Sequence, residues 1–104
     1  MRLAILVALI PLTFASAARA DVAEIWQSKC AMCHGDDGKA QTKQGKKLKI
    51  DDVTTAEWQA KHSDEVIRKT ITKGIPKTKM KPFGEKLSAA EIDGLVKHLR
   101  SLAR

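Results

Sequence analysis

The chain has 104 residues, 19 of them basic and 12 acidic, with three histidines and two cysteines. That length holds one domain, and a composition that is 43% hydrophobic and 30% charged excludes a disordered tail or a repeat array. A net charge of +7 directs attention to anionic partners.

The first twenty residues read as a secretory signal. Arg2 supplies a positive start, Leu3 to Phe14 form an apolar run broken by Pro11 and Thr13, and Ala18-Arg19-Ala20 ends it with an A-x-A pattern before Asp21. The alternative is a retained membrane anchor, but spanning needs about 20 mostly apolar residues and this run is shorter. The domain is therefore expected over residues 21–104, exported and folded outside the cytoplasm, in the periplasm, with no membrane span after cleavage. Removing Arg2 and Arg19 leaves 17 basic against 12 acidic residues, a net charge of +5. Export argues against nucleic acid, so an acidic protein partner is the better match to this charge.

Beyond the leader only Trp26, Trp58 and Phe83 are aromatic. A chain this short buries little surface, so a large apolar cofactor is expected to supply core bulk.

From Asp21 to His34, Val22, Ile25, Trp26, Cys30 and Cys33 follow helical spacing, and Gly35 ends the element. Gly35 to Asp52 reads as a long lysine-rich loop with Leu48 and Ile50 tucked inward. A short helix is expected from about Thr55 to Lys61. Ser63 then caps a helix with Asp64 and Glu65 in its first turn. Its buried face is Val66, Ile67, Thr70 and Ile71, and Gly74 with Pro76 ends it. A second loop follows from Ile75 to Leu87. Ser88 and Glu91 form an S-x-x-E capping box, with Leu87 and Ile92 placed for a hydrophobic staple. Ile92, Leu95, Val96, Leu99 and Leu102 supply the stripe of the last helix, which should pack on the first. No segment alternates with period two, so the fold expected is all-α.

Cys30-Ala31-Met32-Cys33-His34 is C-x-x-C-H, the attachment pattern of haem c. One helical turn brings both sulfurs to the two vinyl groups of one porphyrin, and His34 follows directly to ligate the iron. A dithiol redox pair would need a preceding strand, which the pattern lacks. Zinc would need two further ligands at metal spacing. For the second axial position Met80 is the candidate, a soft thioether in the loop Pro76-Lys77-Thr78-Lys79-Met80-Lys81-Pro82-Phe83. His62 and His98 are competing ligands, and a packing role is the alternative for Met80. With both axial positions filled the iron has no open site. That favours outer-sphere electron transfer over catalysis, and a Met/His pair raises the potential.

These motifs resemble the class I, mitochondrial-type cytochromes c, most closely the short bacterial monohaem members. The likeness runs from Cys30-Ala31-Met32-Cys33-His34-Gly35 through Gly74 and the Met80 loop to Leu87-Ser88, Glu91-Ile92, Leu95-Val96 and Leu99-Arg100-Ser101-Leu102. It implies three to four helices wrapped around one covalent haem c, and a monomeric electron carrier that is not an enzyme. It makes Trp58 a candidate propionate contact, with packing as the alternative. It implies that lysines flanking both ligand loops steer acidic redox partners. Two departures stand out. No proline follows the attachment motif to accept the histidine N–H, and Lys81 separates Met80 from Pro82. Two other readings stand beside the carrier: a haem enzyme or ligand sensor with an open iron, and a membrane-tethered subunit of a redox complex.

Overall fold

The structure, a computed structural model, describes residues 2–11 and 22–104. The expected cleavage motif Ala18-Arg19-Ala20 and Asp21 lie outside the described residues. Residues 2–11 have no regular secondary structure, and Leu3, Ile5, Leu6 and Ile10 are exposed. Among the described residues no helix is long and apolar enough to cross a membrane.

Five helices and no strand make up the described chain. The first, α1, is a composite: a turn at Val22–Ile25, a π-helical turn at Trp26–Cys30 and a last turn at Ala31–His34. Next come α2 (Lys43–Leu48), α3 (Ala56–Lys61), α4 (Asp64–Lys73) and α5 (Ala89–Ser101).

Side-chain caps set the starts of the last four. Thr42, Thr55, Ser63 and Ser88 each accept from an amide in the first turn: Gly45, Trp58, Val66 and Glu91 respectively. The capping box of α5 is complete, because the Glu91 carboxylate also accepts from the Ser88 amide at 2.9 Å. Leu87 and Ile92, the expected staple pair, are both buried.

The core is the α5 stripe, Ile92, Leu95, Val96 and Leu99, packed against Ile25, Trp26 and Ile67. Helix α5 meets α1 on one side and α4 on the other. Gly94 marks the crossing with α1, since a Cβ there would lie 2.6 Å from Val22 Cγ2.

The loop and the helix number expected between Gly35 and Asp52 are corrected. The segment read as one long loop contains α2, which brings the helix number to five rather than three or four. Its start depends on Thr42, whose hydroxyl accepts from Gly45 and donates to the Cys33 carbonyl at 2.8 Å. Leu48, expected to tuck inward, is 36% exposed at the end of α2 and faces the cavity that Ile50 also lines. The expected inner face of α4, Val66, Ile67, Thr70 and Ile71, faces the same cavity, with Ile67 buried and Val66 49% exposed.

Candidate haem site

The π turn of α1 adds a residue between Trp26 and Cys30, so the Ala31 amide reaches back to the Trp26 carbonyl. Such insertions recur at functional sites because they re-aim the side chains that follow them. Here the indole of Trp26 enters the core while Cys30, Cys33 and His34 line an adjoining cavity.

Helix α1 ends at Gly35, where φ is 81°, and its amide bonds the Ala31 carbonyl at 2.8 Å. The carbonyls freed by that ending are satisfied by the chain that follows. Ala40 donates its amide to His34 at 2.8 Å, and the Thr42 hydroxyl bonds Cys33. Gly45 completes this clasp. A Cβ there would lie 2.3 Å from the Ala40 oxygen and 2.6 Å from the Cys33 oxygen.

The cavity measures about 1030 Å³. Its apolar wall comes from Val53, Ile67, Ile71, Phe83, Leu95 and Leu99. Met80, Trp58 and His62 also line it, as do Lys29, Lys49, Lys77, Lys79 and Lys81. Cys30, Cys33, His34, Trp58 and Met80 therefore line one cavity. Lys39, Lys43, Lys46, Lys47, Lys73 and Lys86 lie away from its lining, and so does His98.

The loop carrying Met80 is closed on itself. The Met80 carbonyl accepts from the Ile75 amide at 3.0 Å, and the Met80 amide donates to the Thr78 hydroxyl at 3.1 Å. That hydroxyl donates in turn to the Ile75 carbonyl at 2.8 Å.

The state of the donor groups fits covalent haem. Cys30 and Cys33 are free thiols, unbridged and half-buried. Burial pushes the Cys30 thiol up to about 11, with nearby Lys29 opposing the rise and Cys33 adding to it. A redox dithiol needs a depressed thiol, and Cys30 is shifted the opposite way. Burial holds His34 below the ordinary histidine range, so its imidazole is neutral and has a lone pair for a metal. Its Nδ1 is buried without a hydrogen-bond partner among the described residues. The neighbouring Gly35 carbonyl instead accepts from Trp26 Nε1 at 3.0 Å.

Two features of the site had no signal in the sequence pattern: the π turn and the Trp26 bond to Gly35. Both are products of packing. His62 was weighed only as an iron ligand, although its four-residue spacing from Trp58 pairs them on one helical face.

An all-α fold that gathers two thiols, an imidazole and a thioether around one apolar-walled cavity defines a c-type cytochrome. The family model described as cytochrome c oxidase, cbb3-type, subunit III, matches residues 17–99, and the chain belongs to that family. It is similar to the solved structure of the KustC0563 c-type cytochrome, at 39% identity and a TM-score of 0.74, over 81% of this chain and 99% of that one. A mutant of the same Kustc0563 protein gives 40% identity and a TM-score of 0.71 over 79% and 98%. The c-type cytochrome NirC, at 23% identity and a TM-score of 0.67 over 86% and 99%, shares the fold. Comparison with the curated proteins gives no significant match. As a member of this family the chain binds haem c covalently and serves haem-based electron transfer.

Proposed function

We propose that this cytochrome is an exported monohaem carrier with His/Met ligation, moving single electrons between partner proteins. The observation that carries this reading is the convergence of Cys30, Cys33, His34 and Met80 on one cavity. Cys30 and Cys33 would hold the haem as thioethers, and His34 and Met80 would ligate its iron. The bound group supplies a one-electron Fe(III)/Fe(II) couple.

The protein's part is positional. The α1 terminus and the α2 clasp fix His34 and the two cysteines. The closed Ile75–Met80 turn presents a soft sulfur, which favours Fe(II) and raises the potential. The apolar wall excludes water and lowers the local dielectric, which also disfavours the more highly charged oxidised state. The indole N–H of Trp58 is a donor suited to a haem carboxylate.

The docking surface is the cavity mouth. Met32 is exposed, and it lines the cavity as do Lys29, Lys49, Lys77, Lys79 and Lys81. Positive charge around a small apolar patch suits an acidic redox partner that binds briefly, and steering of this kind raises association rates by about 10–10³ at low salt. The leader reading assigns the carrier to the periplasm, as a monomer. The family description names an oxidase subunit, and a retained leader would make the chain a tethered one; Asp21 as first residue of the purified protein is the outcome that supports the free carrier.

The test is the absorption spectrum of the haem-loaded protein in both oxidation states. The oxidised form should show a weak sulfur-to-iron band in the near infrared that disappears in Met80→Ala. Covalent haem without that band would exclude Met80 and leave either bis-His ligation or an open, reactive iron.

A further inference from the structure

His62 lines the cavity together with His34, and its ring is held in place twice. It stacks on Trp58, with centroids 4.1 Å apart and planes 17° apart. Its Nδ1 lies 2.8 Å from the Trp58 carbonyl oxygen. A carbonyl only accepts, so Nδ1 carries the proton of that bond. In the neutral ring Nε2 is therefore a lone-pair acceptor. A second proton can be taken up there without breaking the bond that fixes the ring.

The backbone beneath the ring is fixed from α5. Arg100 donates Nη2 to the His62 carbonyl and Nη1 to the Gln59 carbonyl at 2.9 Å. The charged neighbours leave the imidazole unpaired. Lys61 is engaged by Glu57 at 2.9 Å, and Asp64 by Arg100 at 2.8 Å. Lys49 and Asp51, from the connection between α2 and α3, share the cavity wall with His62, as do Lys77, Lys79 and Lys81 of the Met80 loop. Among the described residues no carboxylate bonds the His62 ring. The ring is therefore held in place by neutral partners, the Trp58 indole and carbonyl, with no fixed counter-charge bonded to it.

We propose that His62 is a redox-linked proton site: its Nε2 takes up one proton from solvent when the haem iron accepts one electron from a donor protein, and releases it when the electron leaves. The proposal rests on the electron-carrier reading above. One electron converts Fe(III) to Fe(II) while one proton moves from water to Nε2, so the net charge of the cavity region stays constant. For charges on the order of 10 Å apart at an effective dielectric of about 20, one unit of charge changes proton affinity by roughly tenfold. The stack on Trp58 and the Arg100 clamp keep the ring from turning away as its charge changes.

The experiment is spectropotentiometry of the purified haem-loaded protein from about pH 5 to pH 8, on wild type and His62→Gln, joined by an NMR titration of the His62 imidazole in both oxidation states. The wild-type potential should fall with rising pH between two apparent pKa values about one unit apart, and His62→Gln should be flat over that window. The imidazole should titrate about one unit higher in the reduced protein. A reversible couple whose slope survives in His62→Gln, or a His62 that titrates at the same pH in both states, overturns the proposal alone. A haem-loaded wild type with no reversible one-electron couple overturns the carrier reading and the proposal with it. Should His62→Gln fail to load haem, the wild-type NMR titration still decides.

Discussion

Trp26 Nε1 donates a hydrogen bond to the Gly35 carbonyl at 3.0 Å, tying the π turn of α1 to the residue that follows His34. The indole also lies between two imidazoles, with centroids 5.8 Å from His34 and 5.1 Å from His98. Trp26→Phe keeps an aromatic ring and removes the donor. The Gly35 carbonyl still accepts from Gly38 at 3.2 Å, so the carbonyl is not left bare. The cost should therefore be that of one net hydrogen bond plus modest packing, about 1–2 kcal/mol. Denaturant unfolding of the haem-loaded variant measures it. A loss above about 3 kcal/mol would show that indole packing, not the bond, dominates at this position.

Gly74 sits where the chain turns from α4 into the Met80 loop, at φ 68°. A Cβ there would lie 2.6 Å from the Met80 carbonyl oxygen and 2.8 Å from the Pro82 nitrogen, both backbone atoms that cannot swing aside. Gly74→Ala should therefore displace the loop and cost roughly 1–3 kcal/mol. The informative readout is spectroscopic: covalent haem retained, with the sulfur-to-iron band weakened or lost. An unchanged band would show that the loop absorbs the shift without moving Met80.

Sequence pattern was legible where local chemistry decides the structure. Ser88 and Glu91 sit three residues apart and bond each other's backbone, so the start of α5 could be placed to the residue. The C-x-x-C-H motif likewise binds three functional groups to one helical turn. Helix α2 was hidden because Lys-Gln-Gly-Lys-Lys-Leu has no apolar period, and its start is fixed by Thr42 reaching the Cys33 carbonyl nine residues away. The half-exposure of Val66 and Leu48 was hidden for a related reason. Both line the cavity wall, a surface that periodicity cannot distinguish from core. Arg100 shows the same limit at longer range, since its partners Gln59 and His62 lie 41 and 38 residues away.

His98 gives the fold a dependence on acid. Its Nε2 is buried without a partner among the described residues, and burial holds the imidazole below the ordinary histidine range. The folded state therefore favours the neutral ring, and near and below the unfolded value of about 6.5 the unfolded chain binds more protons. Stability from this group is fully present above that value and is lost as pH falls through it. His98→Leu should show a shallower decline in unfolding free energy between about pH 7 and pH 5 than wild type. Equal slopes in the two proteins would assign the acid sensitivity to other groups.

Arg100 joins α5 to the connection between α3 and α4 through two chemically different kinds of contact. One is an ion pair with Asp64, whose side chain is 61% exposed; an exposed pair contributes about 0–1 kcal/mol. The other is a fork of guanidinium donors to the carbonyls of Gln59 and His62 and to Gln59 Oε1, on a guanidinium only 29% exposed. Asp64→Asn should therefore cost well under about 1 kcal/mol. Arg100→Lys keeps the charge but replaces the planar fork with a single ammonium that cannot reach three acceptors at once, and should cost about 1–3 kcal/mol. Denaturant midpoints of the two variants compared with wild type decide between them. If Asp64→Asn proved the more damaging, the ion pair rather than the fork would be what holds Trp58 and His62 against the cavity.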